Sequence, residues 1–200
     1  METPLVSSVS TDERSERILD AASRLYLAPG AGRISMDDLA RELQMAKKTI
    51  YRYYPDKYSL LTAVVDRQFD MVERTLIAAA EETFDQPFDA QVRAFLNATG
   101  RELGRIGAAQ LATGRGDAVL RRHVERRVDA VVYQRLDSLF RDGHRLGLLS
   151  QPPELLGEIT RGAAERLLNS QLPHELNYTA ADLLRTTVDI VLRGAMTGPN

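Results

Sequence analysis

The chain has 200 residues and a formal net charge of −2, and its 44% hydrophobic and 27% charged residues are ordinary for a globular protein. It contains no cysteine, which excludes disulfides and thiolate metal sites, and its three histidines lie 21 and 30 residues apart, without metal-ligand spacing. We therefore expect no metal and no cofactor. The longest apolar run, Leu76–Ala80, is too short to span a membrane, and the N-terminus lacks the apolar segment of a secretory signal. The sequence predicts a cytoplasmic protein with no membrane partner.

In chain order, a flexible arm is followed by three predicted helices. Residues 1–11, rich in Ser and Thr and without periodicity, form the arm. Apolar residues recur at helical spacing over about 12–27, after which proline and glycine end the helix. Ser35 is a favourable N-cap for a second helix, with an aspartate three residues later. A short third helix is predicted over about Lys47–Tyr54, because Pro55 disfavours helix in the residue before it.

The rest of the chain predicts longer helices. Their approximate ranges are 56–84, 87–103, 117–145, 153–171 and 179–195. Glycines between 104 and 116 leave that segment unassigned. Since no stretch alternates with the period of a strand, we expect an all-α fold of about nine helices. It would consist of an N-terminal three-helix head and a C-terminal helical bundle.

The third helix concentrates positive charge and tyrosine in a chain that is acidic overall. Four basic residues and one acidic residue lie between positions 44 and 58. On a helical wheel at about 100° per residue, Ala46, Ile50 and Tyr54 share one side. The other side and its margins carry Lys47, Lys48, Thr49, Tyr51, Arg52 and Tyr53. Such a surface suits the major groove of DNA, because Arg and Lys donate to guanine and phosphate.

The connection between the second and third helices favours the same interpretation. Only residues 44–46 separate them, as in a helix-turn-helix whose second helix reads the bases. Lys57 lies at the start of the next helix, where N-terminal amides also favour a phosphate. The alternative is an ordinary solvated basic face without a partner.

Residues 15–65 resemble the N-terminal domain of the TetR family of bacterial transcriptional regulators. Three pieces carry the resemblance: ILDAA in the first helix, ISMDDLARE in the second, and KKTIYRYYPDKYSLL across the third into the fourth. The resemblance implies a homodimer with a DNA-binding domain, here residues 12–56, and a ligand-binding and dimerisation domain, here 57–200. The family's DNA contacts fall on Ser35, Lys47, Lys48, Thr49, Tyr51, Tyr53 and Lys57, and the helical wheel adds Arg52.

Three departures from the family pattern affect the turn and the reading helix. Gln44 stands where the family usually has glycine, so a residue with a side chain must adopt the turn, which suits a left-handed conformation. Ala46 stands where Ser or Thr often caps the reading helix, and losing such a cap costs about 1 kcal/mol. Lys48 replaces a common glycine and adds charge at the groove. The operator sequence therefore cannot be borrowed from a relative.

The long helices offer candidates for two further sites. Apolar positions that could line an effector pocket are Phe69, Phe95, Leu103, Leu111, Val132 and Leu136. The last helix and a small residue on the helix before it could form a two-fold interface through Gly162, Leu184, Val188, Val191 and Ala195. Packing within one chain explains this second set equally well.

We therefore expect a transcriptional regulator, specifically a repressor that binds a palindromic double-stranded DNA operator as a homodimer and is released by a small-molecule effector. One alternative is an effector-free, architectural DNA-binding protein. Another is a protein-interaction module whose basic helix docks an acidic partner. An enzyme is the least supported class, because no nucleophile motif or catalytic set is present.

Overall fold

A computed structural model of the protein describes residues 7–27, 35–111, 118–168, 170 and 175–196. Over these residues the fold is all-α, as the sequence predicts. The helices are α1 Ser7–Leu27, α2 Met36–Leu43, α3 Lys47–Tyr53, α4 Lys57–Glu82, α5 Phe88–Leu111, α6 Ala118–Val128, α7 Gln134–Arg145, α8 Pro153–Leu168 and α9 Ala180–Ala195. None of these described helices is both long and apolar enough to cross a membrane.

The first helix begins earlier than predicted. α1 starts at Ser7 and not at Asp12, so residues 7–11 of the predicted arm are helical, while 1–6 lie outside the described residues. No glycine or proline interrupts residues 7–12, so no local signal stops the helix from extending. The predicted turn after α1 also lies outside the described residues.

Residues 104–116, whose secondary structure the sequence did not predict, are helical as far as Leu111. α5 continues through Gly100 and Gly104 to Leu111. Each glycine lowers the stability of a helix interior by about 1 kcal/mol relative to alanine without breaking it, so packing against other helices can override it.

A π-helical turn, Asp129–Tyr133, joins α6 to α7 where the sequence predicted one regular helix. The Gln134 N–H donates to the Asp129 carbonyl, one residue farther back than in an α-helix. The extra residue shifts the buried stripe, and in α7 Phe140 is fully buried while Leu139 is partly exposed. The spacing of apolar residues in the sequence does not indicate where a π-helical turn adds a residue.

The described residues up to Gln68, with residues 118–123, form a compact N-terminal unit. Arg67 ties α4 to α1, since its guanidinium lies 3.2 Å from the Glu16 carboxylate and 2.6 Å from that of Asp20. The core of the unit combines α1, α2, α3 and the first turns of α4 through Ile18, Ala22, Leu39, Ile50, Leu60 and Val64. These helices include the predicted helix-turn-helix.

The described parts of residues 69–111 and 124–196 form a second, C-terminal unit. Here α9 packs against α5 and α8. A β-carbon built on Gly100 would lie 3.3 Å from Cβ of Ala181, so glycine allows α5 and α9 to approach closely. A reciprocal capping box with Thr179 fixes the start of α9, and the Ser150 N–H donates to the Ala195 carbonyl at 2.8 Å at its end.

The C-terminal unit can be tested through two glycines with opposite surroundings. A β-carbon at Gly143 would lie 2.6 Å from the Phe88 ring and 2.8 Å from Leu149, whereas nothing lies within 4 Å of one at Gly162. Gly143→Ala should lower the free energy of unfolding by about 1–3 kcal/mol through overpacking. The control Gly162→Ala should raise it by up to about 1 kcal/mol through helix propensity. Urea denaturation measures both, and equal stability of the two variants would contradict this packing.

Candidate nucleic-acid interface

Ser35 begins α2 as its N-cap, as the sequence predicts. Its backbone is extended, and its hydroxyl accepts from the Asp38 N–H at 3.0 Å. The same hydroxyl donates to the Asp38 carboxylate, and this hydrogen bond, helped by the charge of Arg41, lowers the pKa of Asp38. Ser35 is thus held in a fixed position at the start of α2.

The turn between α2 and α3 uses a left-handed residue that has a side chain. Gln44 has φ 52° and ψ 38°, which confirms the conformation expected from the missing glycine. Its N–H donates to the Arg41 carbonyl at 3.3 Å, and the Met45 N–H donates to the Ala40 carbonyl at 3.0 Å. These bonds satisfy carbonyls at the end of α2 and fix the direction in which α3 leaves.

The apolar side of α3 holds the helix in the N-terminal unit. Ile50 is 0% exposed, as the helical wheel predicts. The Tyr54 hydroxyl, just after the helix, lies 3.3 Å from the Ser15 hydroxyl of α1. Ala46 at the N-cap makes no side-chain hydrogen bond to the helix, as its lack of a hydroxyl predicts.

The opposite side of α3 presents its predicted DNA-contacting side chains to solvent. Lys47, Lys48, Tyr51 and Arg52 are exposed, and Thr49 and Tyr53 are partly exposed. With Ser35 and Lys57, which are also partly exposed, they make up the candidate interface. The residues that pack α3 against the rest of the unit thus lie on its buried face, and the residues that could bind DNA lie on its exposed face.

Two cations of this surface already have partners within the chain. Lys47 forms an ion pair with Asp37 of α2. The Arg52 guanidinium lies over the Tyr53 ring at 5.2 Å and donates to its hydroxyl at 3.4 Å, which lowers the pKa of Tyr53. Sequence reasoning missed Asp37, because ten positions separate it from Lys47 and no helical spacing relates them.

Lys57 follows an N-cap that sequence reasoning also missed. The Asp56 carboxylate accepts from the Ser59 N–H at 2.7 Å, and the Ser59 hydroxyl accepts in turn from the Asp56 N–H at 3.3 Å. This reciprocal arrangement fixes the first turn of α4 and therefore the position of Lys57. The sequence does contain the pattern that predicts this cap: an aspartate at the start of the predicted helix, followed three residues later by a serine.

The predicted pocket residues lie in the C-terminal unit. Phe69, Phe95, Leu103, Val132 and Leu136 are all buried there. The side chain of Leu111 lies outside the described part of the structure. Among the described residues no three His, Asp or Glu side chains are placed to hold a metal ion.

The predicted dimer residues are largely inside the protomer. Leu184, Val188 and Ala195 are 6%, 0% and 1% exposed, so they have almost no surface to give to a second copy. Val191 is partly exposed and Gly162 is exposed. Three of the four predicted positions on α9 therefore pack within the chain.

Residues 18–64 match the family described as bacterial regulatory proteins, tetR family. The transcriptional repressor KstR of Rhodococcus jostii (strain RHA1) is 35% identical over 68 residues, which cover 34% of this chain and 32% of that protein. The transcriptional regulator EthR of Mycobacterium tuberculosis (strain ATCC 25618 / H37Rv) is 30% identical over 110 residues, covering 52% and 51%. The chain thus spans a third to a half of the length of these two relatives.

A solved structure extends the likeness to the whole fold. A transcriptional regulator from Saccharomonospora viridis, crystallised in complex with choline, superposes with a TM-score of 0.69. The match covers 94% of this chain and 100% of that one at 17% identity, so it shows a shared fold.

The missing cap of α3 gives a direct test of its stability. Ala46 has the extended backbone of an N-cap, with φ −65° and ψ 137°. Ala46→Ser should therefore stabilise the protein by about 0.5–1 kcal/mol, because the new hydroxyl can accept from an N–H of the first turn. Ala78→Ser, on an exposed position inside α4, should instead be neutral or slightly destabilising. Urea denaturation that shows no difference between the two serines would contradict the uncapped geometry.

Proposed function

Since this chain is a TetR-family transcriptional regulator, we propose that it is a repressor that binds a palindromic operator as a homodimer and leaves it when a small molecule binds. The observation that carries the proposal is α3, whose Ile50 side is buried while its cations, tyrosines and threonine face solvent. A helix presented in this way can enter the major groove of DNA. The naming of KstR as a repressor supports the repressor role, and the choline complex of the S. viridis structure supports a small-molecule ligand.

In the proposed complex the two kinds of contact are divided among the residues. Lys48, Thr49 and Tyr51 reach base edges, while Lys57 and Ser35 bind phosphates at the groove walls. Lys47 is ion-paired with Asp37 in the free protein, so it must exchange a carboxylate for a phosphate on binding. This exchange reduces the net gain from Lys47 relative to a cation without an intramolecular partner.

The division of roles predicts that two variants fail differently. Selection of bound duplexes from a random pool at fixed salt first gives the operator. Lys57→Ala should then weaken operator and random DNA alike. It should also reduce the slope of log K against log salt by about 0.9 for each phosphate that is no longer neutralised, and by twice that in a dimer. Thr49→Ala should cost about 1–3 kcal/mol per site on the operator and little on random DNA.

Two control variants separate loss of DNA contacts from a general loss of charge or of stability. Arg101→Ala removes an exposed cation of the C-terminal unit and should leave both affinities and the slope unchanged. Ile50→Ala should melt the N-terminal unit at lower temperature, because it leaves a cavity at a fully buried position. If the Lys57 and Thr49 variants lose equal affinity on both duplexes, α3 binds DNA through charge without reading its sequence. That result would favour an effector-free, architectural DNA-binding protein.

The proposed dimer uses the solvent-facing sides of α8 and α9. Leu155 and Ile159 of α8 are each 47% exposed, and Ile190 of α9 is 65% exposed. Gly162 lies one turn beyond Ile159 on the same side of α8, and open space surrounds it. Large exposed apolar side chains on two packed neighbouring helices suit a self-complementary two-fold contact. A palindromic operator would require the two copies of α3 in the dimer to reach half-sites about 34–36 Å apart.

The dimer face predicts opposite outcomes for two arginines on α9. Ile190→Arg should place a charge in the proposed interface and give a folded monomer with unchanged helicity. Val188→Arg should instead lower the melting temperature, because Val188 is 0% exposed inside the protomer. Light scattering gives the mass and circular dichroism the helicity and melting. An Ile159→Arg/Ile190→Arg double variant that remains a dimer would rule out this face.

A further inference from the structure

The buried face of α5 contains two polar residues in the middle of an apolar stripe. The stripe runs along the helix through Val92, Phe95, Leu96, Thr99, Glu102, Leu103 and Ile106. Thr99 is 0% exposed and Glu102 is 6% exposed. Since burying a hydroxyl or a carboxylate is costly unless it is paired, these two positions need a physical explanation that packing alone does not give.

The Thr99 hydroxyl has no hydrogen-bond partner among the described residues. Two other helical threonines donate to the carbonyl four residues earlier: Thr160 donates to Leu156 at 2.8 Å and Thr75 to Met71 at 3.1 Å. The Thr99 side chain does not use this local option and leaves a donor and an acceptor available inside the C-terminal unit.

The neighbouring helix repeats the feature. Thr187 of α9 is 5% exposed, and its hydroxyl likewise has no partner in the described part of the chain. α9 packs along α5, and a β-carbon built on Gly100, next to Thr99 in sequence, would lie 3.3 Å from Cβ of Ala181. Two packed helices of the C-terminal unit thus each bury one unsatisfied hydroxyl.

Glu102 has a weak cationic partner for a buried carboxylate. Its oxygens lie 3.2 and 3.4 Å from Nη1 of Arg105, whose side chain is 70% exposed. An exposed arginine contributes little to such a pair and can move into solvent at small cost. A cation brought by a ligand could therefore replace Arg105, because a buried carboxylate favours a desolvated and directly hydrogen-bonded partner.

We propose that the effector of this regulator is an organic ammonium ion with an apolar body, held by Glu102 through its protonated nitrogen. The Thr99 and Thr187 hydroxyls form hydrogen bonds with its polar atoms, and Phe95 and Leu103 contact its apolar part. Glu102 and Thr99 lie three positions apart on one helical face, so a single ligand reaches both. This inference rests on the proposed effector-responsive function and names the chemical class of that effector.

Three probes that differ only in their head group test the charge preference. These are 4-phenylbutylammonium, 4-phenylbutan-1-ol and 4-phenylbutanoate, titrated calorimetrically into the full-length protein at pH 7. The ammonium should bind about tenfold or more tightly than the other two, which corresponds to one charge-assisted hydrogen bond. Glu102→Gln should remove this preference, leaving the affinity for the alcohol nearly unchanged.

Matched variants separate binding from stability. Thr99→Val should weaken ammonium binding by about three- to tenfold and leave the melting temperature unchanged or higher, since the hydroxyl it removes is unsatisfied. Thr160→Val, whose hydroxyl has a carbonyl partner, and Asp89→Asn, an exposed carboxylate on the same α5, should bind the ammonium like the wild type. Glu102→Gln that binds the ammonium as tightly as the wild type would overturn the inference.

Release of the selected operator by the probes distinguishes a failure of the ammonium inference from a failure of effector-controlled repression itself. If the alcohol or the carboxylate binds and weakens operator affinity while the ammonium does not, the effector is not a cation, and effector-controlled repression still stands. If no probe and no member of a broader small-molecule library changes melting or operator affinity, both proposals fail and an effector-free DNA-binding protein is favoured.

Discussion

A helix of seven residues does not hold its shape alone in water, because forming its first turn costs more entropy than so few hydrogen bonds return. α3 exists because the N-terminal unit holds it from three directions. Ile50 is completely buried, the left-handed Gln44 sets the angle at which the helix leaves α2, and Tyr54 reaches the Ser15 hydroxyl on α1. The exposed face of α3 therefore has a fixed geometry only as long as its hidden face stays packed.

The charge on that face is organised before any DNA arrives. Lys47 is paired with Asp37, which lowers the net positive charge of the surface, while Arg52 is stacked on and hydrogen-bonded to the neutral Tyr53 side chain. Such contacts restrict the side chains and so reduce the entropy lost on binding, while the ion pair of Lys47 also reduces the electrostatic gain. In the proposed complex, affinity for phosphate would therefore depend on Lys47 leaving Asp37, and specificity on the side chains that reach the bases.

In the C-terminal unit, α9 has one side buried in the protomer and another side exposed to solvent. α9 buries Thr187 and Val188 inside the protomer while Ile190 remains exposed on another side. A substitution on α9 therefore has consequences that depend on its direction around the helix. The inner side affects stability and the proposed effector site, and the outer side affects the proposed dimer.

The sequence by itself determined several features that depend on residues close together in the chain, although it missed the reciprocal cap between Asp56 and Ser59. The cap at Ser35 and the buried Ile50 of α3 follow from side-chain chemistry and helical spacing within one segment, and the left-handed turn at Gln44 was expected because the family that this segment resembles usually has glycine there. Only the tertiary structure decided the pairing of Lys47 with Asp37, the π-helical shift that buries Phe140, and which side of α9 faces the core. These depend on which surfaces of separate helices meet, and a periodic pattern gives each helix an apolar side without saying what covers it.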